Sequence, residues 1–363
     1  MMKYCKKNLI LVVVLSTFLG VTGCGNTQTT AKQASTQVNN QQKRTITDSA
    51  GKQVEIPINI QRIADAWPAH NEVLAMLGEG NKIVATAHTP ESKPWLYKVN
   101  PAMNKAVNTF TPNINIEELI KTKPDIAIMP LADKAIDKIS EVGIPVVQLD
   151  FKDFNGLKSC FLLTGDILGD VAKQKAQLYV NYLDSKLKMV TDVTSKIPLE
   201  NRPKVLHLTS LSPNIADGGN TIVDAWIQTA GGVNAASEVT GNGKEVSMEQ
   251  ILKWNPDVII LGTLFTSPNA KNADLLKTDP RWQKIKAVMN GRVYVNPIGA
   301  FMWDRYGAEE ALQIQWAAKT LNPDKFADVD MNQITKDFYK TFFSYNLTED
   351  ETNRILTGQN PAQ

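Results

Sequence analysis

Two short loops hold most of the residues in this chain that could do chemistry. Trp67-Pro68-Ala69-His70 follows the apolar run Ile63-Ala64-Asp65-Ala66 and precedes a helical pattern, Asn71 to Leu77, that stops at Gly78. His70 therefore sits at or beside a helix N-terminus, whose partial positive charge disfavours imidazolium. Neutral imidazole is the form that binds a transition metal. His70 is a candidate metal or chelate contact, with a capping or surface histidine as the alternative; Trp67 beside it is a candidate wall. The second loop, Phe301-Met302-Trp303-Asp304-Arg305-Tyr306-Gly307, lies between a strand pattern and a helical one. Arg305 offers a planar fork for a carboxylate or hydroxamate-type oxygen, and Trp303 and Tyr306 offer flat faces with polar edges. An Asp304–Arg305 surface pair beside core aromatics is the alternative there. Trp95, in Lys93-Pro94-Trp95-Leu96-Tyr97, reads as a cleft-edge aromatic.

One histidine cannot build a metal site, and no HxH, HExxH or CxxC spacing supports it. His88 is a weaker second candidate, and His207 lies in a strand pattern where a satisfied core histidine is expected. A metal that arrives already chelated needs only one donor from the protein, so a nickel or cobalt complex with small organic ligands fits. No permanently bound cofactor is expected. The turn Asp217-Gly218-Gly219-Asn220-Thr221 precedes a helix and reads equally well as an anion site or as a turn with a threonine cap. Nothing recruits catalysis: the chain has no Gly-x-Ser-x-Gly elbow, phosphate loop or GxGxxG. Adjacent acids such as Glu309-Glu310 point apart on a helix. An adhesin would not need aromatics on opposed loops.

The elements that must position these loops are written in a repeat. Ile116 to Lys121, then Pro124-Asp125 and the apolar Ile126-Ala127-Ile128, returns as Met248 to Lys253, Pro256-Asp257 and Val258-Ile259-Ile260. Each copy is an amphipathic helix, a proline break and a run short enough for a buried strand. This predicts two α/β lobes of similar build with mainly parallel sheets and a ligand cleft between them. Thr45 to Pro57 reads as a hairpin turning at Ser49-Ala50-Gly51. Apolar residues recur at helical steps from Leu157 to Ser195 across Gly165 and Gly169. A helix of some 30 residues would be about 45 Å long and would run along both lobes. The expected division is an N-terminal lobe at 44–157, a connecting helix at 158–197, a C-terminal lobe at 198–325 and an aromatic helical tail at 326–363 packed on the body.

Residues 1–23 read as a signal peptide: Lys3, Lys6 and Lys7 precede an apolar stretch too short to stay in a bilayer. Val21-Thr22-Gly23-Cys24 is similar to a lipobox, with Cys24 as the lipidated residue, and the polar 24–43 segment reads as a tether. Removing the leader takes its three lysines from the formal +2 and leaves −1. A body so nearly neutral has no electrostatic footprint for nucleic acid. Cys160 is then left without a partner for an internal disulfide and is expected to be a buried thiol.

Together the lipobox, tether, Asp-x-x-Gly hairpin, paired Pro-Asp motifs, long central helix and Gly231-Gly232-Val233-Asn234 resemble the bacterial substrate-binding proteins of iron-complex and vitamin B12 ABC importers. The likeness covers about residues 43 to 325. It implies two Rossmann-like lobes joined by one rigid helix, and a monomer, lipid-anchored on the extracytoplasmic face of the membrane, that passes a metal complex to a permease and its ATPase. Haem or a ferric siderophore, held without direct protein–metal ligation, is the alternative cargo. Such proteins tend to carry an exposed acid on each lobe for docking to the permease. Glu72 matches the first position; the second falls on Gln228, and Asp224, one turn earlier, is the substitute. The alternative for Glu72 is a charge favourable to its helix dipole.

Overall fold

The protein is described here from a computed structural model covering residues 42–262, 276 and 278–362. The leader, Cys24 and the tether up to residue 41 lie outside the described residues. Among the described residues no helix is long and apolar enough to cross a membrane.

The chain enters the fold through an antiparallel hairpin, β1 (Lys43–Thr47) and β2 (Gln53–Pro57), with Lys43 opposite Pro57. Asp48 shapes its turn: one carboxylate oxygen accepts from the Ala50 and Lys52 amides, and the other accepts from Gln148 N and ties the turn to the body.

Two sheets follow. The first is parallel, in the order β5 (Val107–Asn108), β4 (Ile83–Thr86), β3 (Ile63–Asp65), β6 (Ile126–Pro130), β7 (Val146–Leu149). The second runs β11 (Lys244–Glu245), β9 (Asn214–Ala216), β8 (Lys204–Leu211), β12 (Val258–Leu261), β13 (Val293–Val295), with β10 (Val233–Asn234) also on β8. Its central strands are parallel, and β9 and β11 are antiparallel.

The Pro-Asp repeat has a physical meaning in both lobes. Lys123 and Asn255, each just before its proline, take positive φ (47° and 43°) and end their helices. The aspartate that follows then caps the neighbouring central strand. Asp125 Oδ2 accepts from the Gln61 and Arg62 amides ahead of β3, and Asp257 Oδ2 accepts from Lys204 N at the start of β8. Each motif therefore fixes the register of a central strand pair, β6 on β3 and β12 on β8.

The long helical pattern divides. Gly169, at φ +103°, ends a helix at Leu168 and starts another at Asp170. The Phe154–Leu168 helix folds back along the Asp170–Thr194 helix: Phe161 stacks on Tyr179 at 3.8 Å and Lys158 Nζ reaches Asp184 at 2.8 Å. Gly165 lets the two backbones meet, because a Cβ there would lie 2.9 Å from Ala176 Cβ and Lys173 Cα. The rigid connection is thus the 25-residue second helix, roughly 37 Å at 1.5 Å per residue. Its Tyr179 hydroxyl donates to Ala308 O at 2.7 Å, beside the second loop. Near the C-terminus Phe338, Tyr339, Phe342 and Phe343 are buried, and Tyr339 packs against residues 300–309.

Candidate functional site

The loop after β3 starts a helix, Pro68–Met76, with proline in its first turn and Trp67 as its N-cap. Trp67 stays half-buried, and its ring lies 5.1 Å from that of Phe151, which follows β7. Phe151 in turn lies 6.2 Å from Tyr306, on the loop ahead of the Glu310–Leu321 helix. Tyr306 Oη accepts from Asn242 Nδ2 at 2.6 Å. Rings from the loop after β3, the segment after β7 and the loop ahead of the Glu310–Leu321 helix thus meet in one row, with Phe151 in its middle buried.

Arg305 precedes Tyr306 in the chain. Its Nη2 donates to Asp217 Oδ2 at 2.6 Å, and its side chain keeps 14% of its surface exposed. Asp217 is held from every side: Oδ1 accepts from Gly243 N, and Oδ2 also meets His207 Nδ1 at 2.9 Å. His207 Nε2 lies 2.9 Å from Asp304 Oδ2, so one buried imidazole bridges two buried carboxylates. Burial opposes charge on His207, but the hydrogen bonds to Asp217 and Asp304 outweigh it and raise its pKa. Burial likewise opposes charge on Asp217; His207 and Arg305 overcome it and bring the carboxyl down to about 2. Gly262 is required beside this bridge, since a Cβ would come within 2.4 Å of His207 and Asp304.

Several expected contacts lie elsewhere. His70 is not open to a metal: it is fully buried, with Nδ1 2.8 Å from Asp65 Oδ2 and Nε2 2.9 Å from Thr164 Oγ1, so both ring nitrogens are engaged. Trp95 is not at a cleft edge. It is buried and donates to Gln359 O at 2.9 Å. Trp303 is core as well, its indole N–H donating to Glu309 Oε1 at 2.9 Å. Glu72 is not an exposed docking acid, because it is wholly buried and accepts from Ala308 N at 2.8 Å across the lobes. Asp224 is half-buried and accepts from the exposed Gln228 at 2.9 Å, so these two share one surface of the Ile222–Thr229 helix. Thr221 caps that helix by accepting from Asp224 N. Cys160 is buried, and burial pushes its thiol up to about 12.

His88 is the exception among the histidines. Its Nε2 is buried with no hydrogen-bond partner, and burial, aided by the Lys93 charge, lowers its pKa to about 3. Lys93 Nζ lies 4.5 Å over the Phe301 ring, and burial brings it down to about 8. Among the described residues no group of three or more His, Cys, Asp and Glu side chains is arranged to hold a metal ion. Reading the sequence missed Phe151, Asn242 and the His207 bridge. Phe151 had a usable signal, its place two residues beyond a buried strand end; the bridge had none, since its members lie up to 97 residues apart.

Residues 63–297 match the periplasmic binding protein family, and the chain belongs to it. Its members are substrate-binding proteins of ABC importers and not enzymes. The chain is 25% identical over 341 residues to the molybdate-binding protein MolA of Haemophilus influenzae, spanning 86% of this chain and 94% of that one. A periplasmic solute binding protein from Veillonella parvula superposes with a TM-score of 0.76 at 31% identity, covering 87% of this chain and 97% of the other. Helicobacter pylori CeuE, solved as a Ni-His complex, shares the fold at 20% identity, with a TM-score of 0.69 and coverage of 87% and 99%.

Proposed function

We propose that this protein is the lipid-anchored receptor of an ABC importer and that its cargo is a metal complex with a flat organic, anionic periphery. The row Trp67–Phe151–Tyr306 carries this reading, since it brings aromatic rings of both lobes together, Trp67 and Phe151 beyond strand ends of the first sheet and Tyr306 ahead of the last helix of the second lobe. Carboxyl ends of strands are where open α/β sheets collect ligands. Arg305, pre-aligned by Asp217, supplies a fork for a carboxylate of the chelator. Cys24 would hold the chain to the extracytoplasmic face, and Asp224 with Gln228 remains the surface for the permease. A bare oxyanion is the second reading; the cations Arg305 and Lys93 favour it, as does the likeness to a protein named for molybdate.

Native mass spectrometry of the full chain in detergent tests both. The panel is nickel and cobalt with histidine, ferric citrate, cobalamin, haem and molybdate. Retention of a chelate is the expected result. Retention of molybdate alone would replace the chelate by the oxyanion. Arg305→Ala should weaken whichever ligand is held by roughly 10- to 100-fold, the size of a hydrogen bond to a charged group. Unchanged affinity would remove Arg305 from the site.

A further inference from the structure

We propose that the C-terminal tail is a strap that ties the two lobes together and limits how far the cleft between them opens, with Trp95 and Lys98 as the positioning residues it holds in the first lobe. Its action does not depend on the identity of the cargo. The tail lies beyond residues 63–297, which match the family, and its path is fixed bond by bond. Phe338 and Phe342 pack 5.6 and 5.4 Å from the ring of Tyr182, along the connecting helix Asp170–Thr194. Tyr339 donates to Glu309 Oε1 and accepts from Ala300 N, which fastens it to the second lobe. Farther on, Ile355 O accepts from Ile298 N at 3.1 Å. Gly358, at φ +68°, passes so close to the end of β13 that a Cβ would lie 2.7 Å from Val295 Cγ1 and 2.8 Å from Asn296 O.

The next residue reaches the other lobe. Gln359 O accepts from the indole N–H of Trp95 at 2.9 Å, and Glu351 Oε1 meets Lys98 Nζ at 2.9 Å. Trp95 and Lys98 share the Pro94–Val99 helix, which follows β4 of the first sheet. Both ends of the ion pair are held in place. Tyr345 Oη and Thr348 N donate to the Glu351 carboxylate, and Lys98 Nζ lies 5.9 Å over the ring of the buried Trp95.

A single helix between two lobes acts as a pivot, and lobes joined in that way move relative to one another by default. A second attachment elsewhere turns the pivot into a frame. The Pro94–Val99 helix starts one residue after Lys93, whose ammonium lies 4.5 Å over Phe301 of the second loop. The strap therefore acts on the corner where the two lobes already touch. A hydrogen bond and a part-exposed ion pair each shift an equilibrium only a few-fold. Such a strap resists opening and still yields to it.

Double electron–electron resonance on the full chain in detergent tests the strap. Lys134 and Glu249, exposed and flanking different sheets, are replaced by azide-bearing residues that carry nitroxides. The expected result is one narrow distance distribution for the otherwise natural chain. Trp95→Phe combined with Lys98→Met should add a longer-distance population, raising the open fraction roughly 5- to 30-fold, the combined size of the two lost ties. Lys98→Arg keeps the ion pair and should match the natural chain. Should the double variant melt early, Lys98→Met alone, at a side chain 34% exposed, carries the test with a smaller rise of the same sign. A folded variant with the natural distance distribution would overturn the proposal whatever its unfolding midpoint, because a merely structural role moves the midpoint alone.

Discussion

His207 sits at the centre of a buried network of charged groups. It pairs with Asp217 and Asp304 in the interior, and Asp217 passes that order on to Arg305. Removing one partner from a buried charged network leaves the others uncompensated, so His207→Ala should cost about 3–5 kcal/mol in urea unfolding. The pH dependence has two limbs of known sign. A raised pKa in the folded state means that the stability His207 supplies is full below its unfolded value, near ~6.5, and drains as pH rises through the folded one. Asp217 is lowered to about 2, so its share is present above the unfolded value and is lost as pH falls through 2. Unfolding curves from pH 2 to 9 should lose stability at both ends, and His207→Ala should flatten the alkaline limb. An unaltered alkaline limb would mean that His207 holds no extra proton. Little of this was legible in the sequence. His70 has Asp65 five residues away, but its second partner, Thr164, lies 94 residues away, and no spacing rule spans that distance.

Elements were more legible where the chain states its rules locally. The Pro-Asp motifs announced two similar lobes because proline and the left-handed residue before it act within a few positions. Their aspartates do unequal work. Asp125 accepts from two amides and Asp257 from one, so Asp125→Ala should cost about 1–3 kcal/mol and Asp257→Ala about half as much. Equal urea midpoints for the two variants would deny them the strand-capping role. The helical hairpin was hidden for the opposite reason. Apolar periodicity continues through Gly169, so the pattern reads as one helix; only the sign of a backbone angle separates it into two. Gly169→Ala forces a side chain into that angle and should cost about 1–2 kcal/mol. A stabilised variant would mean that the two helices can fuse.

Across the whole molecule, the lobes are joined near the site by acids where solvent is absent. Glu72 comes from the first lobe, and Glu309, Glu310 and Asp304 from the second, all fully buried. Burial, and then the charge of Glu309, raises the pKa of Glu72 well above the carboxylate range, and burial with Asp304 does the same for Glu310. Glu72 Oε1 has no hydrogen-bond partner, and a proton on it would let it donate to Glu309. The native state therefore holds more protons than the unfolded one, and stability should fall as pH rises above about 4.3. Glu72→Gln should outlast the natural chain at pH 8 and match it near pH 4; coincident curves would show that no proton is shared. Another junction governs how the body bears load. Lys43 and Pro57 form the open end of the β1–β2 hairpin, so tension on the chain ahead of Lys43 acts on one pair of residues at a time. Such a geometry peels rather than shears, and it would give way at small force if nothing held it sideways. Arg44, bound to Asp166 at the second pair, is that sideways hold. It turns a zipper into a hinge and passes the pull to the helix behind it, so tension entering at Lys43 need not reach the central strands of either sheet.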